Sequence, residues 1–255
     1  MRYLLYCIFR SREHEKPEPL LGVDSQPVVL VSHNGLSAAI SRTAHSDLTP
    51  DVSRILNYKS IIESFHRDRT VIPMRYGCLF EEELQVHQLL ETRFKQYEAL
   101  LKELEGCVEM GVRIILPECG MRNAELKPES QKPNSKFPNP NSKFQNPKST
   151  TPGQAFMATR KAYYAQEERF SKEMDMVTQR CRGAFTGLFV KCREEYPTFN
   201  NPQSQNPFLS LYFLVPRGSV ESFRQVFRHL CFKECGKLLL SGPWPPYNFV
   251  LGDLS

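Results

Sequence analysis

The sequence predicts an α+β fold: an N-terminal ferredoxin-like-type sheet with helices, then a C-terminal domain with a long helix and a few β-strands. Three observations carry this. Short apolar runs of strand composition alternate with stretches whose apolar residues recur at helical spacing, in both halves of the chain. A Pro-, Asn-, Ser- and Lys-rich segment interrupts that pattern near the middle. The chain has 255 residues, 40% hydrophobic and 24% charged, enough for one large domain or two ordinary ones. The expected division is an α+β domain over 1–120, a linker or insertion over 121–152, and a second α+β domain over 153–255.

"YLLYCIF" (3–9) reads as a buried strand. "VVLVSHNGLSAAIS" (28–41) reads as a hairpin, because Asn34-Gly35 supplies the positive-φ pair of a tight turn. Residues 51–67 carry Val52, Ile55, Leu56, Ile62 and Phe65 at helical spacing behind Asp51. "TVIPMRYG" (70–77) is a strand whose Pro73 places it at an edge or at the exit from the sheet. One helix is predicted over 81–105. Glu81, Glu82 and Glu83 suit its electropositive start and Gly106 its end. Val86, Leu90, Phe94, Tyr97, Leu101 and Leu104 form its core-facing stripe. "CVEMGVRIIL" (107–116) reads as the last strand of the first half.

"NSKFPNP" (134–140) is followed directly by "NSKFQNP" (141–147). Two copies are too few for a repeat fold, and the composition cannot bury enough apolar surface to offset its ordering entropy. Beyond it, Tyr163, Phe170, Met174, Val177, Cys181, Ala184 and Leu188 predict a helix from about 153 to 195. Gly183 and Gly187 would kink it or allow close packing. "PFLSLYFLVP" (207–216) is a strand, Ser219 caps a helix bearing Phe223, Val226, Phe227 and Leu230, and "KLLLSG" (237–242) is the last clear strand.

The net charge of +5 is concentrated: residues 125–150 hold five lysines against Glu125 and Glu129, so little basic excess remains for a folded nucleic-acid face. No apolar run reaches the length of a transmembrane helix, and the start lacks signal-peptide features, so a cytosolic protein is expected. Eight cysteines with no CxxC pair read as reduced core residues rather than disulfides or a zinc site. Phosphate-loop, nucleophile-elbow and metalloprotease motifs are missing, and no catalytic, cofactor or metal residue is assigned.

Four features still invite a function. Cys78 with His66 could form a nucleophile and base, although Cys78 beside Tyr76 and Phe80 also reads as packing. Arg75 could clamp an anion or carboxylate, or form an internal ion pair or cap a carbonyl where the strand leaves the sheet. Tyr3, Tyr6 and Phe9 could form an RNA-stacking platform, the alternative functional reading, although the sequence pattern of such sheets is missing. Pro243-Trp244-Pro245-Pro246 matches PxxP ligand spacing, but directly after "KLLLS" and ending in "FV" it reads better as a strand meeting a turn. Trp244 is then expected to be largely buried against the long helix or the neighbouring sheet.

"VIPMRYGCLF" (71–80), "LLKELEGCVEMGVRIIL" (100–116), "TPGQAFMATRK" (151–161), "LYFLVPR" (211–217) and "LSGPWPPYNFV" (240–250) together resemble the gas vesicle protein GvpL/GvpF family, in family order. The resemblance singles out Pro73, Arg75, Gly77, Gly153, Arg160, Pro243, Trp244, Pro245, Pro246 and Tyr247 as structural or partner-contact residues. It implies a non-enzymatic minor structural or assembly protein of gas vesicles, located at the vesicle in the cytoplasm. The implied partners are the hydrophobic shell protein GvpA and other accessory gas vesicle proteins, with no nucleic acid and no membrane insertion. The chain departs from the family at Tyr58-Lys59, where many members carry His-Glu or His-Asn, and in the inserted "NSKF" repeat.

Overall fold

The computed structural model describes residues 2–12, 19–44, 51–115, 174–196, 208–231 and 237–250, together with positions 157, 160, 161, 168 and 172, which are helical. The tandem repeat and Gly153 lie outside the described residues. The first sheet is built on β1 (Arg2–Arg10). The hairpin of β2 (Val28–His33) and β3 (Leu36–Thr43) turns at Asn34 and Gly35, with φ of 47° and 82°. After α1 (Val52–His66) come β4 (Val71–Pro73) and the two-residue β5 (Leu79–Phe80). The strand order is β2-β3-β1-β4, β5 also pairs with β1, and every pairing is antiparallel. Pro73 ends the edge strand β4, where its missing N–H costs no ladder bond.

Helices cover both faces of this sheet, which is why residues 3–9 form an unbroken apolar run. Leu4, Tyr6, Cys7 and Phe9 pack with Tyr58, Ile61, Ile62 and Phe65 of α1. Leu5 and Ile8 pack with α2 (Glu83–Thr92) and α3 (Phe94–Glu103). A bulge between Leu5 and Cys7 lets Tyr6 and Cys7 share the α1 side. The RNA-platform expectation is therefore overturned. Tyr6 and Phe9 are 0% exposed, and their rings stack on Tyr58 and Phe65 at 4.9 Å.

The helix expected over 81–105 is two helices. The chain leaves helical geometry at Arg93 (φ −104°, ψ 17°), and Thr92 Oγ1 donates to Gln88 O at 2.7 Å, the back-bonding that bends helices. The break lets Val86 and Leu90 and then Tyr97, Leu100, Leu101 and Leu104 bury against the same cluster, with Phe94 partly buried beside them.

β6 (Cys107–Ile115) does not extend the first sheet. It is a central strand of a second, four-stranded antiparallel sheet with β7 (Lys191–Glu195), β8 (Phe208–Pro216) and β9 (Lys237–Trp244), in the order β7-β8-β6-β9. This corrects the boundary expected at 120, because β6 precedes the 121–152 segment in sequence but hydrogen-bonds to strands that follow it. On one face, Val108, Met110, Val112 and Ile114 join Leu209, Leu211, Phe213 and Val215 beneath α4 (174–184) and α5 (Val220–Cys231). There Phe185 stacks on Phe223 with ring centroids 4.0 Å apart.

The helix expected to reach 195 stops at 184, because Gly187 takes a φ of 83° that ends it, and 191–195 is strand. Gly183 meets nothing within 4 Å of its Cβ position, so it serves no close packing. The two sheets share a core: Leu214 of β8, with Phe249 and Val250 of α6 (Tyr247–Val250), belongs to the same cluster as Leu5, Ile8 and Tyr97. No described helix is long and apolar enough to cross a membrane.

Candidate functional site

The two most distinctive sequence blocks, 71–80 and 240–250, meet at the junction of the sheets, with α1 between them. β4 ends at buried Pro73, and the chain turns through exposed Arg75 and Gly77, the latter at φ 91°. Met74 N donates to Tyr6 O at 2.9 Å, and Leu5 N to Cys78 O at 3.0 Å, so the turn is stitched to β1 on both sides. The Tyr58 hydroxyl lies among the carbonyl oxygens of Leu5 (2.7 Å), Met74 (3.1 Å) and Arg75 (3.1 Å). A hydroxyl has one proton, and the shortest of these contacts, to Leu5 O, is its best acceptor. Burial raises the Tyr58 pKa, which keeps that donor protonated.

The C-terminal block arrives on β9. Gly242, at φ 103°, lies in the β6–β9 register shift, and a Cβ there would stand 2.6 Å from the carbonyl oxygen of Glu109. Trp244 pairs with Glu109 in register, and the Lys59 ammonium lies 3.9 Å from its ring centroid. Trp244 is partly exposed rather than largely buried. It is a strand-end residue beneath Lys59 of α1, and the core positions go instead to Pro245, Pro246, Phe249 and Val250. Pro243 is exposed, and Tyr247 is partly buried against the α1-side cluster, its pKa raised by burial.

Glu109 is the residue that sequence reading missed. It is 3% exposed and accepts hydrogen bonds from Asn248 N (2.8 Å, Oε2) and Asn248 Nδ2 (2.7 Å, Oε1), so it pins α6 to β6. Burial raises its pKa, and the Asn248 bonds and Arg193 oppose that rise. The available signal was one carboxylate inside the otherwise apolar "CVEMGV".

Pro73, Arg75, Gly77, Pro243, Trp244, Pro245, Pro246 and Tyr247 thus belong to one junction. Arg160 is helical and exposed. The Arg75 side chain has no ion pair among the described residues, so the internal-pair reading of that residue is not met. The departures from the family pattern, Tyr58 and Lys59, are the α1 side chains that bind the two blocks.

The arrangement offers little for catalysis. His66 contacts Arg217, whose Nη2 lies 3.2 Å from His66 Nε2, and burial together with that cation lowers its pKa to about 4. Burial raises the Cys78 thiol, the opposite of an activated nucleophile. Among the described residues, no group of three or more His, Cys, Asp or Glu side chains is placed to hold a metal.

The model of the family described as gas vesicle synthesis protein GvpL/GvpF matches residues 2–251. Gas vesicle protein F of Streptomyces sp. (strain CB03234) is 23% identical over 98% of this chain and 100% of its own. Gas vesicle protein L of the same organism is 21% identical over 96% and 91%. The crystal structure of GvpF from Anabaena sp. PCC7120 superposes with a TM-score of 0.72 at 20% identity, covering 98% of this chain and 95% of that one. GvpF from Microcystis aeruginosa gives 0.72 at 16% identity, covering 98% of each. The fold is thus shared with solved GvpF structures, and the chain belongs to the gas vesicle GvpL/GvpF family.

Proposed function

We propose that this protein is a non-enzymatic assembly or minor structural component of gas vesicles that binds the hydrophobic shell protein GvpA in the cytoplasm while vesicles form. The observation that carries this reading is the family match across residues 2–251. The geometry supports it in two ways. The family blocks meet in a stitched junction with no activated nucleophile, which suits a scaffold better than a reaction centre. Beside that junction, α1 leaves Val52 71%, Ile55 39% and Leu56 58% exposed, one to two turns before Lys59 and its Trp244 contact. Apolar side chains at this helical spacing form a stripe suited to an apolar partner.

Unassembled shell subunits expose apolar surface, and covering it until incorporation is a task that needs no chemistry. The test is deletion and complementation in a vesicle-forming cell, with vesicles counted by electron microscopy. The proposal expects vesicles to be lost or malformed on deletion and restored by the wild-type gene. Normal vesicles after deletion would sink it.

A further inference from the structure

A second surface feature stands apart from the family junction. An open cleft of about 390 Å³ lies between the C-terminal ends of α1 and α3 and the segment after β8. Its walls carry Arg10, Arg12, Arg67, Arg69 and Arg217. The opposing carboxylates are Asp68 and Glu105, which leaves an excess of three positive charges. Two helix C-termini at the cleft contribute about −0.5 charge each, so about two positive charges remain unbalanced. His66 does not add to them at neutral pH, since it titrates only at about 4.

The five guanidinium groups are not equivalent. Arg12 Nη1 pairs with Asp68 Oδ2 at 2.9 Å, and Arg69 Nε lies 3.5 Å from Asp68 Oδ1. Arg217 donates to the backbone carbonyls of His66 and Arg67, capping α1. Arg10 and Arg67 are exposed and have no ion pair among the described residues. Two forked donors on an open wall match carboxylates on an extended partner.

Two absences among the lining residues narrow the ligand class. No aromatic side chain lines the cleft to stack a base, and only helix C-terminal ends face it, where carbonyls rather than N–H groups are presented. Donors therefore come from side chains that reach out to meet the ligand. We infer that this cleft receives an acidic peptide segment of another protein, with Arg10 and Arg67 as the contacting residues. The inference does not depend on the partner being shell protein.

Fluorescence anisotropy with a labelled hexaglutamate peptide tests it on the full chain at low salt. Saturable binding is expected that weakens with added salt and falls by about tenfold or more in R10A/R67A. Both positions are exposed, and circular dichroism checks that the variant is folded. The control R224A/R228A removes two arginines of α5 outside the cleft, Arg224 partly exposed and Arg228 exposed, and should bind as the wild type does. Absence of saturable binding, or equal losses in both double variants, would overturn the inference. So would tight binding of inorganic pyrophosphate that hexaglutamate does not displace, which would make the cleft a phosphoanion site.

Discussion

Replacing Gly242 with alanine perturbs the point where the last strand is locked to β6. Two costs are visible. At φ 103° an L-residue is strained, about 1–2 kcal/mol. The new Cβ would also stand 2.6 Å from Glu109 O and 3.2 Å from Met110 Sδ. The first contact is with backbone inside a sheet, so relief requires a strand shift, at about 1–3 kcal/mol. The sum is about 3 kcal/mol, a large share of a typical stability. Gly187 provides the internal control, since its φ is 83° but nothing lies within 4 Å of its Cβ position. G187A should show only the dihedral cost. Urea unfolding followed by circular dichroism should place G242A at least about 1 kcal/mol below G187A. Equal losses would refute the packing argument, and a neutral G242A would refute both.

Further outcomes follow from the same junction. Phe249→Ala should cost about 3–5 kcal/mol and Trp244→Ala about 1–2, because only Phe249 is a core residue; urea midpoints that reverse this order would contradict the placement. Tyr58→Phe should cost about 1–2 kcal/mol by leaving buried carbonyls without their donor, read from the same titration. For His66 the folded-state value is depressed, so the unfolded chain binds the proton first and stability falls as pH drops from 6.5 towards 4. Wild type should lose about 2–3 kcal/mol across that window relative to His66→Leu. Glu109 runs the other way. Its raised value means stability declines as pH rises above the ordinary carboxylate range, and Glu109→Gln should flatten that decline.

Much of this was legible in residues with local physics. Asn34-Gly35, the Pro73 edge and the apolar stripe of Val86 to Leu104 each report on neighbours a few residues away, and the structure bears them out. What failed was non-local. The periodicity of 107–116 identifies a strand but not its partners, which lie about a hundred residues further along. "KCREE" has charged residues on both faces, as exposed edge strands often do, so it resembled the end of a helix. The apolar context of Trp244, after "KLLLS" and before "FV", pointed to burial, whereas Pro245, Pro246 and Val250 fill the core beside Phe249. Glu109 had no readable role until Asn248 was seen beside it.

The measurement that tests the central claim most directly is co-purification of the tagged chain with GvpA from vesicle-forming cells, comparing wild type with Leu56→Asp. Leu56 is 58% exposed, so the substitution should leave the fold intact while placing a charge in the apolar stripe of α1. The account predicts that wild type carries shell protein with it and that the variant loses most of it. If wild type brings down no shell protein, or Leu56→Asp brings down as much as wild type, the account is contradicted.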